Sequence, residues 1–137
     1  MPMAVDLSSY QARTPDDRAA ISVVGDGIGR SLPSDLSEFL CSTGPGEGFI
    51  GKNYLILFSA SELIKMNEQY EVQEYAPGLF LFGSNGGGEG FAFDFGDPAI
   101  PVVMVPFIGM ERKSAIRVAS CFAELLVRLE ADDDLFA

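Results

Sequence analysis

At 137 residues the chain has the length of one domain, and its 47% apolar content is that of a folded chain rather than a disordered one. Twenty acidic residues against nine basic ones leave a net charge of −11, which repels nucleic-acid backbones and anionic lipid and favours a basic protein partner or simple solubility. There is no histidine, so Ser-His-Asp and Cys-His chemistry and every metal site that needs imidazole are excluded, and two cysteines alone do not complete a zinc site.

Residues 1–13 are weakly patterned and read as a loose arm, 14–131 as the domain, and 132–137, with Asp132-Asp133-Asp134, as an acidic tail. The arm lacks the charged start, apolar stretch and cleavage site of a signal peptide. Thr14-Pro15-Asp16-Asp17 has the form of a helix start, with Thr14 as cap, Pro15 at the first helical position and Asp17 as the capping-box acid. Val23, Val24, Gly25, Gly27 and Gly29 are poor helix formers and end this helix by about Ile28. Pro33 opens a second helix, whose Leu36, Phe39 and Leu40 share one face and which Gly44-Pro45-Gly46 stops. Tyr54 to Phe58 reads as a strand. It runs into a capping box of Ser59 and Glu62 with Phe58 and Leu63 as staple, so a third helix starts at Ser59 with Leu63, Met66, Asn67 and Tyr70 inward.

Leu79 to Gly83 is a strand, and Phe91 to Phe95 another, with its three phenylalanines on one face and Asp94 on the other. The run from Gly83 to Gly90 joins them as a wide hairpin. Gly86, Gly87 and Gly88 are expected to serve backbone shape, at least one with positive φ, and not a ligand. Val102 to Val105, bracketed by Pro101 and Pro106, suits an edge or a short pairing. Phe122, Leu125, Leu126 and Leu129 form one stripe of a C-terminal helix. Turns between the central strands are too short for parallel crossovers, so the fold class is α+β, one domain, with a mostly antiparallel sheet flanked by helices.

The glycine run lacks the Lys-Ser/Thr of a phosphate loop and leads into a strand, and Glu89 within it would repel phosphate, so no nucleotide or other cofactor is implied. Glu89 and Asp94 do not stand in a calcium loop, and no acid/base pair or other catalytic constellation is visible. The longest apolar run, residues 99–110, is broken by two prolines and a glycine and falls short of the roughly 20 residues that cross a bilayer. Cys41 and Cys121 are read as buried, reduced thiols, and the protein as soluble and cytoplasmic.

Between Met66 and Glu111 there are seven acids and no Lys or Arg. Glu68, Glu71, Glu74 and Glu89 fall on a helix end, a loop and a hairpin, and are the expected contacts to a basic partner. Asp94 is either a fifth contact or holds the hairpin by accepting backbone N–H bonds.

Four segments together resemble the SUKH superfamily, the group of the fungal Smi/Knr cell-wall-synthesis regulators and many bacterial immunity proteins. They are Leu32-Pro33-Ser34-Asp35 through Phe39-Leu40; Glu62-Leu63 through Asn67 and Tyr70; Phe82-Gly83 through Gly86-Gly87-Gly88-Glu89 to Asp94; and Ala119-Ser120-Cys121-Phe122 through Leu126. Gly44-Pro45-Gly46 and Cys121 depart from the usual pattern. The resemblance implies a non-enzymatic protein-binding domain. Its partner would be a toxin, often a nuclease, that the domain neutralises; the alternative is a regulatory or scaffold role with no toxin.

Overall fold

The computed structural model describes residues 5–131; the first four residues of the expected arm and the expected acidic tail over 132–137 lie outside the described residues. Seven strands form one sheet in which each strand neighbours the next in sequence: β1 (Tyr10–Ala12), β2 (Gly46–Ile50), β3 (Asn53–Leu57), β4 (Leu79–Ser84), β5 (Glu89–Asp94), β6 (Val102–Pro106) and β7 (Ile116–Ala119). Every pairing is antiparallel, as the short connections require. The helices are α1 (Arg18–Ile28), α2 (Ser34–Ser42), α3 (Ala60–Gln69), α4 (Val72–Tyr75) and α5 (Phe122–Ala131). This is the α+β single-domain architecture that the sequence predicts.

The core follows the predicted faces. Leu36, Phe39, Leu40, Leu63, Phe91, Phe93, Leu125 and Leu129 are all buried. A chain of rings ties helices to sheet: Tyr10 meets Phe39 edge-on at 5.7 Å, Phe39 meets Phe122 at 5.4 Å, and Phe122 meets Phe82 at 5.9 Å. Phe82 in turn stacks on Phe93 at 4.5 Å. Phe95 lies one residue past β5 and is only half-buried, so the expected stripe of three phenylalanines is two core rings and one at the margin.

Several expectations are corrected. The arm is not loose throughout: Tyr10–Ala12 pairs with β2, and the buried Tyr10 donates its hydroxyl to Gly44 O at 2.9 Å. β2 itself escapes a propensity reading because two of its five residues are glycine. They are glycine because β1 passes so close: a Cβ would lie 2.2 Å from Gln11 O at Gly46 and 2.1 Å from Ser9 O at Gly48. Helix α1 begins three residues later than the Pro15 start. Its cap is Asp17, whose carboxylate accepts from Ala20 N at 2.7 Å, not Thr14. The stretch before it is held extended by Arg13 N on Pro45 O and Asp16 N on Leu40 O. β6 is interior, paired with β5 on one side and β7 on the other; its two prolines stand at its ends, clear of the central ladder. Cys41 and Cys121 are free thiols and half-buried rather than buried.

One seam positions the site. β3 pairs with β4 only at Ile56–Ser84 and Leu57–Gly83, then leaves the sheet for α3. The edge of β4 so exposed is completed by side chains. Asn67 on α3 donates to Leu81 O and accepts from Leu81 N, both at 2.8 Å, and Gln73 on α4 donates to Leu79 O at 2.6 Å. An amide side chain thus replaces a strand's donor and acceptor, which fixes α3 and α4 against the sheet.

Candidate functional site

Between the end of α1 and the α3–α4 pair lies an open groove of about 670 Å³. Ile28, Ile64, Phe80 and Phe95 give it an apolar lining, and Glu68, Glu71 and Glu74 bring carboxylates to it. α1 and α3 pass each other beside it: an ideal Cβ on Gly27 would be in ordinary contact with Ile64 Cδ1 at 3.4 Å. Gly29 then ends α1 in the left-handed conformation, its N–H on Gly25 O, and turns the chain so that Arg30 also lines the groove. The Arg30 guanidinium lies 4.1 Å from the centroid of the Phe95 ring.

The α3–α4 junction sets the acids out against local preference. Glu68 stands in the last turn of α3, where the helix dipole favours a cation, and that turn holds no basic residue. Glu71 adopts φ 53° and ψ 44°, a left-handed conformation in which glycine is unstrained and a glutamate is not. Glu74 follows on α4, and all three side chains belong to exposed residues. Among the described residues none of the three is in an ion pair. Their field reaches Tyr75, an exposed residue: Glu71 first and then Glu74 push its phenol above its ordinary value, with a hydrogen bond to Glu71 adding to the effect.

The other two expected contact residues belong elsewhere. Glu89 is drawn into the glycine hairpin, where its Oε1 accepts from Asn85 Nδ2 at 2.8 Å and its backbone N–H points to Asn85 Oδ1. Ser84 Oγ donates to Glu89 O and accepts from Gly86 N, so the turn is closed from within. Gly86 and Gly88 have φ of 76° and 100°, the backbone role expected of them; Gly87 does not have positive φ. Asp94 accepts both oxygens' bonds from Arg112 Nη2, at 2.9 and 3.1 Å, and its Oδ1 also accepts from Gly96 N at 2.9 Å. Asp94 thus accepts a backbone N–H bond, as its holding role expects, but at the turn after β5 rather than at the glycine hairpin.

Arg30, Ile64, Phe80 and Phe95 were not among the residues singled out as a site. They come from four separate elements, and no local spacing links them. Among the described residues, no group of three or more Cys, Asp or Glu side chains is placed to hold a metal ion. No helix of the described residues is long and apolar enough to cross a membrane.

The search of curated proteins found no match. Residues 17–128 match the family model described as SMI1 / KNR4 family (SUKH-1). That span takes in α1 through most of α5, with the groove, the glycine hairpin and the Asn67 seam inside it. The chain therefore belongs to the SMI1 / KNR4 family (SUKH-1).

Proposed function

We propose that this protein is a non-enzymatic binding domain of immunity type, which neutralises a basic, nuclease-like toxin by binding it at the acidic groove. The observation that carries this reading is the α3–α4 junction. Glu68, Glu71 and Glu74 are presented together beside an apolar groove, at the cost of a left-handed glutamate and an acid at a helix C-terminus. Rule-breaking of this sort is expected where a surface serves binding rather than stability. The net charge of −11 supports a partner of opposite sign, since complementary potentials speed encounter and an acidic face competes with nucleic acid for a basic cleft. Family membership supports a protein-binding role without catalysis.

The test is to isolate the partner on the immobilised chain and measure association at two salt concentrations, together with the partner's own activity. The expected result is a basic partner, inhibited by the chain, whose association slows as salt rises. Glu71→Lys is expected to slow association several-fold while the unfolding midpoint stays where it was. An acidic partner, or association indifferent to salt, overturns the inhibitor reading in favour of a regulatory scaffold.

A further inference from the structure

The groove is not purely acidic, and its own cation is informative. Arg30 is exposed and follows directly on the helix-ending Gly29. Among the described residues it forms no ion pair, although three carboxylates line the same groove. Its guanidinium rests on the face of Phe95, which stacks on Phe80 at 6.1 Å and Phe93 at 6.0 Å. A half-buried aromatic ring, stacked on two others, in a groove that carboxylates and Ile28 and Ile64 also line, is a seat for a planar cation on an apolar stem.

We infer that the groove binds an arginine-bearing amphipathic segment of a partner protein, and that the partner's guanidinium takes the place on Phe95 that Arg30 holds in the free chain. This rests on the reading that the acidic groove is the partner-binding face. The occupant is fixed by charge and shape together. Carboxylates at Glu68, Glu71 and Glu74 exclude phosphate and acidic peptides. The apolar lining favours aliphatic side chains between the cations. The ring favours guanidinium over ammonium, because a planar ion can lie flat on its face. Arg30 then acts as a removable cover: its contact is at an exposed site, and its side chain can leave the ring by a change of rotamer while its backbone N–H stays on Gly25 O.

The probe is a twelve-residue, N-acetylated, helix-forming peptide with three arginines and two leucines along one side, compared with the same peptide carrying lysines and with one carrying glutamates. Binding to the full chain is read by fluorescence anisotropy, and the site by amide shifts. The arginine peptide is expected to bind about threefold or more tighter than the lysine peptide, and the glutamate peptide not to bind. Arg30→Ala is expected to tighten the arginine peptide more than the lysine peptide, by vacating the ring. Phe95→Leu is expected to bring the two peptides level. Arg30 is exposed, so its variant carries the test alone if Phe95→Leu fails to fold. Equal binding of arginine and lysine, an Arg30→Ala effect that is absent or the same for both, or shifts that avoid Ile64 and Phe95 would each overturn the inference. A natural partner whose association still falls with salt but ignores Arg30→Ala would overturn it as well, while leaving the proposed function standing.

Discussion

On β5, Glu89 and Asp94 are taken into the structure; on the rim formed by α3 and α4, Glu68, Glu71 and Glu74 are left outside it. All five belong to one stretch without a single Lys or Arg, so composition does not separate them. What separates them is the supply of donors. The glycine hairpin offers Asn85 to Glu89, and the turn after β5 offers Gly96 N and the guanidinium of Arg112 to Asp94. At the α3–α4 junction three of the nearby backbone N–H groups are turned to carbonyls, Glu71 N on Glu68 O and Glu74 N and Tyr75 N on Glu71 O, and none is bonded to a rim carboxylate. Apart from the Tyr75 hydroxyl at Glu71, the rim acids therefore have solvent, or a partner, to satisfy them. An acidic protein can use much of its charge as internal structure, and Asp17, Asp35 and Asp16 extend the point. Asp17 caps α1, while Asp35 and Asp16 accept from Ala123 N and Ala60 N at the starts of α5 and α3.

The largest effect is expected where the two regions are joined. Asn67→Ala removes both bonds to Leu81 and leaves a buried backbone donor and acceptor without partners, for a loss of about 3 kcal/mol. Urea unfolding measures it; a loss under about 1 kcal/mol would mean that packing alone holds α3 to β4. Next comes the hairpin that holds Glu89. Gly88 has φ 100° and nothing within 4 Å of its would-be Cβ, so Gly88→Val costs backbone strain only, about 1–3 kcal/mol. Gly87→Ala, without positive φ, is expected to be nearly neutral by the same measurement. Equal effects at the two positions would contradict the division of roles within the glycine run.

The fold was largely legible where one residue's neighbours in sequence are also its neighbours in space. Leu36, Phe39 and Leu40, or Leu125 and Leu129, betray a buried helix face by spacing alone, and Ser59 with Glu62 marks the start of α3. β1 and β2 were not legible, because Gly46 and Gly48 are chosen for the close passage of a strand more than thirty positions away. The same distinction runs through the site. Glu68, Glu71 and Glu74 could be named from a charge run. Ile64 stands four positions before Glu68 on α3, but the ring at Phe95 and the cation at Arg30 are brought to them only by the crossing of α1 over α3 and by the end of β5. Nor could spacing reveal that Asp94 is consumed, since its partner Arg112 lies 18 positions on.

A smaller effect sharpens the contrast between held and presented acids directly. Asp94→Asn discards the charge of a pair whose Asp94 side chain is only 14% exposed, and is expected to cost about 1.5 kcal/mol. Glu71→Gln touches an exposed carboxylate in no ion pair, whose amide can still accept from the Tyr75 hydroxyl, and is expected to change stability by less than about 0.5 kcal/mol while slowing association with a basic partner. A reversal of that order in paired unfolding experiments would mean that the rim acids are structural after all.

The smallest effect tests whether α3 treats its two ends differently, with a held acid at the N-terminus and a presented one at the C-terminus. Glu62, in the first turn, lies 2.7 Å from Arg13 Nη2 and accepts from Ser59 N at 2.8 Å. Partial burial pushes its carboxyl up, but Arg13 and the Ser59 bonds more than offset this and hold it below its ordinary value of 4.5. A carboxyl lowered by folding contributes stability that is present above its unfolded value and lost as pH falls through the folded one. Asp16 works in the opposite sense: burial raises it despite its bond from Ala60 N, so acidification relieves it, and only a difference between two chains isolates Glu62. The Glu62 side chain is 39% exposed and its pair with Arg13 is screened, so Glu62→Gln is expected to cost only about 0.5 kcal/mol at neutral pH. In urea unfolding from about pH 7 to about pH 3, the gap between the native chain and Glu62→Gln should hold steady at first and close below roughly pH 4.5. Glu68→Gln, at the other end of the same helix, is expected to be neutral or slightly stabilising near pH 7, because it removes a negative charge from the negative end of the dipole. A gap for Glu62→Gln that stays constant down to pH 3, or a clear loss for Glu68→Gln, would erase the distinction between the two ends of α3.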